Sequence, residues 1–126
     1  DDGIHIDNNF INTEVFNNTI YGSNPYLRYY DGTVSYSNYN NFYRVAGNIW
    51  NRNYKTNYTS LSDWWRATGL DGNSITSNPK FVNPGGSSPD DYRLKPNSPA
   101  KGRGRNGEDM GAYPRKSGDR IGYSAP

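Results

Sequence analysis

Two phrases of the sequence, Asn17-Asn18-Thr19-Ile20 and Asn40-Asn41-Phe42-Tyr43, decide the predicted fold. The step from Asn18 to Asn40 is 22 residues, a plausible length for one turn of a parallel β-solenoid. Equivalent residues stack in such a coil, Asn tolerates the left-handed conformation of a tight bend, and its amide can hydrogen-bond the next amide in the stack. The short strands alone would fit a sandwich or a barrel equally well, so the prediction depends on this repeat.

A third copy of the phrase, Asn8-Asn9-Phe10-Ile11, begins nine residues before the copy at Asn17. A gap of nine is too short for a full turn, so we interpret these two copies as two bends within one coil. The alternative is that a chain with eighteen Asn among its 126 residues repeats Asn-Asn by chance.

The amino-acid composition excludes several classes of protein. Leu, Ile, Val and Phe number only nineteen, which by itself would suggest disorder, but the net charge is only +2 and twelve Tyr and three Trp supply apolar surface. The absence of Cys excludes a disulfide-stapled domain, and no apolar run is long enough for a transmembrane helix. Six Lys or Arg in residues 101–126 form a mildly basic tail. We therefore expect no nucleic-acid partner and no membrane insertion.

Three segments follow from the pattern of turns and apolar residues. Residues 1–47 are predicted to form the parallel coils, residues 48–77 an irregular insert, and residues 78–126 a Pro-rich edge and capping segment that ends in the basic tail. The insert holds the one good helix, 60–68, which begins with a Ser that can cap it and is followed by Gly69. At barely two turns, this helix must pack against the β-structure to be stable.

Three further motifs follow one another in a characteristic order along the second half of the chain. They are Tyr58-Thr59-Ser60-Leu61 with Trp64 and Thr68-Gly69-Leu70-Asp71, then Asn78-Pro79-Lys80-Phe81-Val82-Asn83-Pro84 with Asp91-Tyr92-Arg93-Leu94-Lys95-Pro96-Asn97-Ser98-Pro99-Ala100, then Asp109-Met110-Gly111-Ala112-Tyr113. Together they resemble the C-terminal region of secreted right-handed parallel β-helix proteins of the pectate-lyase-like type. The chain departs from the family pattern at Lys101-Gly102-Arg103-Gly104, which argues against an acidic or metal-binding role at that corner.

This resemblance implies both a fold and a habitat. The fold would be all-β: the last coils of a right-handed parallel β-helix, with one short helix and a Pro-rich C-terminal wrapping segment. Such proteins are typically secreted or lie at the cell surface, and many act on acidic polysaccharides as lyases or hydrolases. Since fold does not settle function, we leave open whether this chain is an enzyme. If it is, we expect most catalytic residues to lie upstream of residue 1.

The first residues contain the only cluster of catalytic residue types. Asp1, Asp2 and His5 are candidates for acid–base work on a glycosidic bond, and the alternative is that they are ordinary solvated turn residues. Paired carboxylates could also hold Ca²⁺ against a uronate, but no further residues support such a site. We identify no cofactor and no metal site, because His5 is the sole His in the chain.

Aromatic residues are the candidates for binding carbohydrate. Trp50, Tyr54 and Tyr58 could give sugar rings flat platforms, backed by Asn hydrogen bonds. Burial is the competing interpretation, and it applies most strongly to Trp64 and Trp65, which we expect to anchor the short helix.

The predicted coils raise a question of assembly. About two coils cannot bury their own faces, because roughly three or more repeats are needed. We therefore expect the chain to be part of a longer β-helix or to stack on copies of itself. The second arrangement favours an alternative function, a non-catalytic structural or adhesive module that assembles head-to-tail into an extracellular filament.

Overall fold

The computed structural model describes residues 2–45, 47 and 49–112. Strands in this part of the chain are three to five residues long, and Gly or Asn residues with positive φ separate many of them. In chain order they are β1 (Ile4–Ile6), β2 (Thr13–Phe16), β3 (Thr19–Tyr21), β4 (Leu27–Tyr29), β5 (Val34–Asn38), β6 (Asn41–Tyr43), β7 (Trp50–Arg52) and β8 (Thr56–Tyr58). The helix α1 spans Leu61–Thr68, and 3-10 turns follow at Pro89–Tyr92 and Arg105–Gly107.

The first three strands each pair in parallel with the strand three places further along the chain. β1 pairs with β4, β2 with β5 and β3 with β6, so that Ile4 lies beside Leu27 and Thr19 beside Asn41. Where β3 and β6 begin, the side-chain amide of Asn18 donates to Oδ1 of Asn40 at 3.2 Å. The amide contact that the Asn-Asn repeat predicts is therefore present at this bend.

The prediction of a right-handed parallel β-helix is wrong. The strands form three separate sheets of four, two and two strands, and no closed solenoid is found in the described residues. The largest sheet, in the order β1-β4-β7-β8, is mixed because β8 runs antiparallel to β7. Asn53 and Tyr54 both have positive φ, which is the geometry of a tight hairpin turn. This turn reverses the chain directly after β7, where a further coil would have to continue forward.

The main core lies between the inner faces of the sheets and the helix. It is unusually aromatic, and its buried members are Ile20, Tyr26, Leu27, Tyr29, Phe42, Trp50 and Trp64. The rings contact one another at 5.1 to 6.5 Å between centroids, a spacing that adds stability beyond area burial. These rings supply the apolar volume that the low aliphatic content leaves unfilled.

A second, smaller core joins the C-terminal segment to β3. Its buried members are Phe81, Leu94, Ala100 and Met110, and Phe81 contacts the ring of Tyr21 on β3 at 5.4 Å. The backbone N–H of Gly111 donates to the carbonyl of Asn17, and the hydroxyl of Thr19 donates to the carbonyl of Met110. The segment thus runs back to the first strands. Of the predicted basic tail, residues 113–126 lie outside the described residues.

The helix α1 has the ends that its sequence predicts. The Ser60 side chain accepts from the backbone N–H of Asp63 at 3.1 Å, and Gly69 adopts the left-handed conformation with φ 73°. Trp64 is the residue that the helix buries in the core. Among the described residues, no helix has the length and apolar character that a membrane span requires.

Candidate functional site

The outer face of the four-stranded sheet brings three polar residues into one row. Because side chains alternate along a strand, His5 and Arg28 point away from the core side chains that flank them, and so does Asn51. The register places His5 beside Arg28 and Arg28 beside Asn51. Residues that are 23 positions apart in the sequence therefore become neighbours on one face of the sheet, where His5 is exposed, Arg28 is half-buried and Asn51 is buried.

Asp2 joins this row through Arg28. The Nε of Arg28 donates to Oδ2 of Asp2 at 2.8 Å and its Nη2 to Oδ1 at 3.4 Å, a fork that matches a carboxylate. This hydrogen bond raises the pKa of Arg28 above its usual value. The Nδ1 of His5 lies 3.6 Å from the same Oδ2. Two of the three predicted catalytic candidates, Asp2 and His5, are thus brought together, while Asp1 lies outside the described residues.

Tyr54 completes the cluster from the hairpin turn after β7. The guanidinium carbon of Arg28 lies 4.0 Å from the centre of the Tyr54 ring, within the range of a cation–π contact. The rings of His5 and Tyr30 are 5.6 and 5.8 Å away. Tyr54 nevertheless remains 54% exposed. The ring is therefore held by three neighbours while about half of the residue's surface stays accessible to solvent. We call Asp2, His5, Arg28 and Tyr54 the Tyr54 cluster.

Asp31 and Asn53 fix the turn that carries Tyr54. The backbone N–H of Asp31 donates to Oδ1 of Asn53 at 2.8 Å, and the amide of Asn53 donates back to Oδ2 of Asp31 at 3.1 Å. Arg52 also donates to the Asp31 carboxylate at 2.8 Å. Hydrogen bonds from Arg52 and then Asn53 hold the pKa of Asp31 below its usual value.

The other two predicted sugar-binding residues lie elsewhere. Trp50 is fully buried and packs against Tyr26, Phe42 and Trp64, so its ring has no exposed face for a sugar. Its indole N–H has no hydrogen-bond partner among the described residues. Tyr58 is half-buried, and its ring meets Trp64 edge to face at 5.6 Å. Tyr54 is the only one of the three that presents an exposed ring.

Sequence reasoning did not single out Arg28. The register of this sheet is 23 residues, from His5 to Arg28 and from Arg28 to Asn51, whereas the step from Asn18 to Asn40 is 22 residues. The 22-residue step would have carried His5 to Leu27, which is in the core, so the row is seen only from the pairing of the strands.

A second polar centre is buried beside the helix. Asp71 is 2% exposed, and its carboxylate accepts hydrogen bonds of 2.7 to 3.1 Å from four side chains, those of Ser37, Asn40, Trp64 and Ser74. These donors come from β5, the β5–β6 bend, the helix and the segment after it. With so many donors around it, the carboxylate acts as a structural link between elements that are distant in sequence.

Neither centre gathers the ligands of a metal ion. Within residues 2–45, 47 and 49–112, no three His, Asp or Glu side chains come together as a metal-binding group. In the Tyr54 cluster the Asp2 carboxylate is paired with Arg28. This pairing holds the side chain in place and argues against Asp2 acting as a general base. The cluster offers an exposed ring with fixed polar neighbours, a combination suited to binding.

Comparisons with protein-family models, with curated proteins and with solved structures find no match to this chain.

Proposed function

We propose that this chain binds polysaccharide through the outer face of its four-stranded sheet, with Tyr54 as the platform for a sugar ring. The observation that carries the proposal is the half-exposed Tyr54 ring held over Arg28 at 4.0 Å. A tyrosine combines an apolar ring face with a polar tip, which matches a ligand that has apolar and hydroxyl faces.

The polar neighbours support the same ligand class. Arg28 and His5 contact the ring, and Asp2 is linked to both of them. The side chains of His5 and Asp2 are 37% and 22% exposed, so they can supply polar contacts beside the ring. The positive charge of Arg28 is offset by Asp2, so the cluster has little net charge. This balance of charge favours a ligand that is recognised through its hydroxyl groups and ring faces over a polysaccharide that carries many carboxylates.

Affinity electrophoresis in gels that contain polygalacturonate or xylan tests the proposal. We expect the chain to be retarded by at least one of the two polysaccharides. Tyr54→Ala should weaken this binding about tenfold, the equivalent of about 1.4 kcal/mol. The matched control is Tyr21→Ala, which removes a ring that is 45% exposed on β3.

Equal loss in both variants would mean that the exposed tyrosines act nonspecifically, and an unchanged affinity in Tyr54→Ala would place the binding surface elsewhere. Circular dichroism of both variants establishes that each retains the wild-type fold. Comparing the two gels also separates an acidic from a neutral ligand.

A further inference from the structure

Trp65 stands apart from the other two tryptophans. Trp50 and Trp64 are fully buried in the core, whereas Trp65, the next residue of the helix after Trp64, is 50% exposed. The sequence interpretation treated Trp64 and Trp65 together as anchors, but only Trp64 is buried. A large aromatic ring that carries an N–H donor is thus left at the surface without a role in the core.

This ring forms one wall of a cavity beside the helix. The cavity has a volume of about 310 Å³ and is lined by Leu61, Ser62, Trp65, Asp71 and Gly72, a size at the lower end of small-molecule sites. Its lining combines apolar surface from Leu61 and the indole with the Ser62 hydroxyl.

Gly72 fixes the position of the ring. A Cβ atom at this residue would lie 2.9 Å from Nε1 of Trp65, closer than a Cβ atom normally approaches another heavy atom, and 3.3 Å from its Cδ1, which is a tight contact. Only a residue without a side chain lets the indole lie this close to the backbone here. Gly72 follows Asp71, whose four hydrogen-bond donors hold this stretch of backbone against the core.

The lack of a free charge in the lining indicates the kind of ligand that the cavity can bind. Among the described residues that line it, Asp71 alone is acidic, and that carboxylate is 2% exposed and already accepts from four side chains. The described lining therefore offers the apolar surface of Leu61 and the indole beside Ser62, and no free charge. These features match an uncharged ring with hydroxyl substituents.

We propose that the Trp65 cavity binds one uncharged sugar residue of the polysaccharide, as a second subsite in addition to the Tyr54 cluster. The inference rests on the proposed function, because it assigns the same ligand class to a second place on the surface. A polysaccharide long enough to span both subsites would bind more strongly than at either subsite alone, since the second contact becomes intramolecular.

Tryptophan fluorescence with acrylamide as the quencher tests this subsite directly. With Trp50 and Trp64 buried, collisional quenching reports mainly on Trp65. Soluble xylan at a saturating concentration should reduce the quenching constant at least twofold. Gly72→Ala keeps the indole but displaces it, and it should abolish this protection while the protein remains folded. Thr76→Ala, an exposed change outside the cavity lining, serves as the matched control and should retain full protection.

The outcomes separate the two proposals when the same variants are run in the affinity gels. Retardation that depends on Tyr54, without any protection of Trp65, overturns the second subsite and leaves the proposed function intact. Protection of Trp65 that persists in Tyr54→Ala, with unchanged retardation, supports the subsite and contradicts the role of Tyr54. Full protection in Gly72→Ala overturns the cavity as the place where the sugar binds. A lack of both retardation and protection overturns both proposals.

Discussion

The centre around Asp71 and the cluster around Asp2 are both built on a carboxylate that accepts hydrogen bonds, but they differ in how far solvent reaches them. Asp71 is 2% exposed and is surrounded by four neutral donors, whereas the Asp2 side chain is 22% exposed and is paired with the cation of Arg28. Burial makes every donor around Asp71 necessary, because an unmet buried charge is strongly destabilising. Solvent can replace the partners of Asp2, so its cluster is free to meet a ligand. Exposure, more than residue type, distinguishes the structural centre from the candidate site.

Of the substitutions that test this comparison, Asp71→Asn should cause the largest loss of stability. The new amide would direct N–H groups at one or more of the donors from Ser37, Asn40, Trp64 and Ser74, leaving them unsatisfied in the core. We expect the free energy of unfolding to fall by about 2–4 kcal/mol, measured by urea denaturation. Asp2→Asn is the matched control and should lower it by less than about 1 kcal/mol. Similar losses in both variants would remove the distinction between the two centres.

Substitution of Asn40 should cause an intermediate loss of stability, and it distinguishes a buried copy of the Asn-Asn phrase from an exposed one. Its fully buried amide donates to the carbonyl of Val15 at 3.0 Å and to Asp71 at 3.1 Å, and its Oδ1 accepts from Asn18. Asn40→Ala leaves these groups unpaired and should lower the free energy of unfolding by about 1–3 kcal/mol. Asn9→Ala, at an exposed copy of the phrase, should change it by less than about 0.5 kcal/mol in the same urea titration. An equal loss of stability at both positions would show that the contribution of an Asn in this phrase does not depend on its burial.

The smallest effect concerns pH and the turn below Tyr54. The pKa of Asp31 is lower in the folded state because Arg52 and Asn53 hydrogen-bond its carboxylate. Its contribution to stability is therefore present above the unfolded pKa of about 3.9 and is lost as the pH falls through the lower folded pKa. The Asp31 side chain is 51% exposed, so Asp31→Asn should lower the free energy of unfolding at neutral pH by less than about 1 kcal/mol.

Urea midpoints measured over a series of pH values check this expectation. The difference between wild type and Asp31→Asn should shrink as the pH falls and vanish once Asp31 is protonated in both states. Asp63→Asn is the control, because Asp63 is 60% exposed and lies 3.6 Å from Arg66. A difference that grows on acidification would contradict the assigned direction of the Asp31 pKa.

Part of the fold was predictable because it depends on neighbours in the sequence. The cap at Ser60, the left-handed Gly69 and the helix between them follow from hydrogen bonds within a few residues. The amide contact between Asn18 and Asn40 followed from the repeat distance. The continuation into further coils was predicted wrongly, because two positive-φ residues, Asn53 and Tyr54, reverse the chain into an antiparallel strand. Tyr is not a typical residue for that conformation, so the turn carried little signal.

Within the candidate site, the residue types were predictable but their grouping was not. Asp2, His5 and Tyr54 are candidates in the sequence, but Arg28 and Tyr30 join them only through parallel register and the hairpin turn. The three predicted aromatic platforms differ in burial: Trp50 is in the core, Tyr58 is half-buried and Tyr54 is at the surface. No local sequence pattern reveals this difference.

The sequence by itself determined the short capped helix, the bend at the Asn repeat and the aromatic character of the core. These features depend on backbone preferences and contacts within a few residues or one regular spacing. Only the tertiary structure decided that Trp64 is buried while Trp65 is exposed, and that Asp71 is enclosed while Asp2 meets solvent. The physical reason is that burial is set by the elements that pack over a side chain, and those elements come from distant parts of the chain.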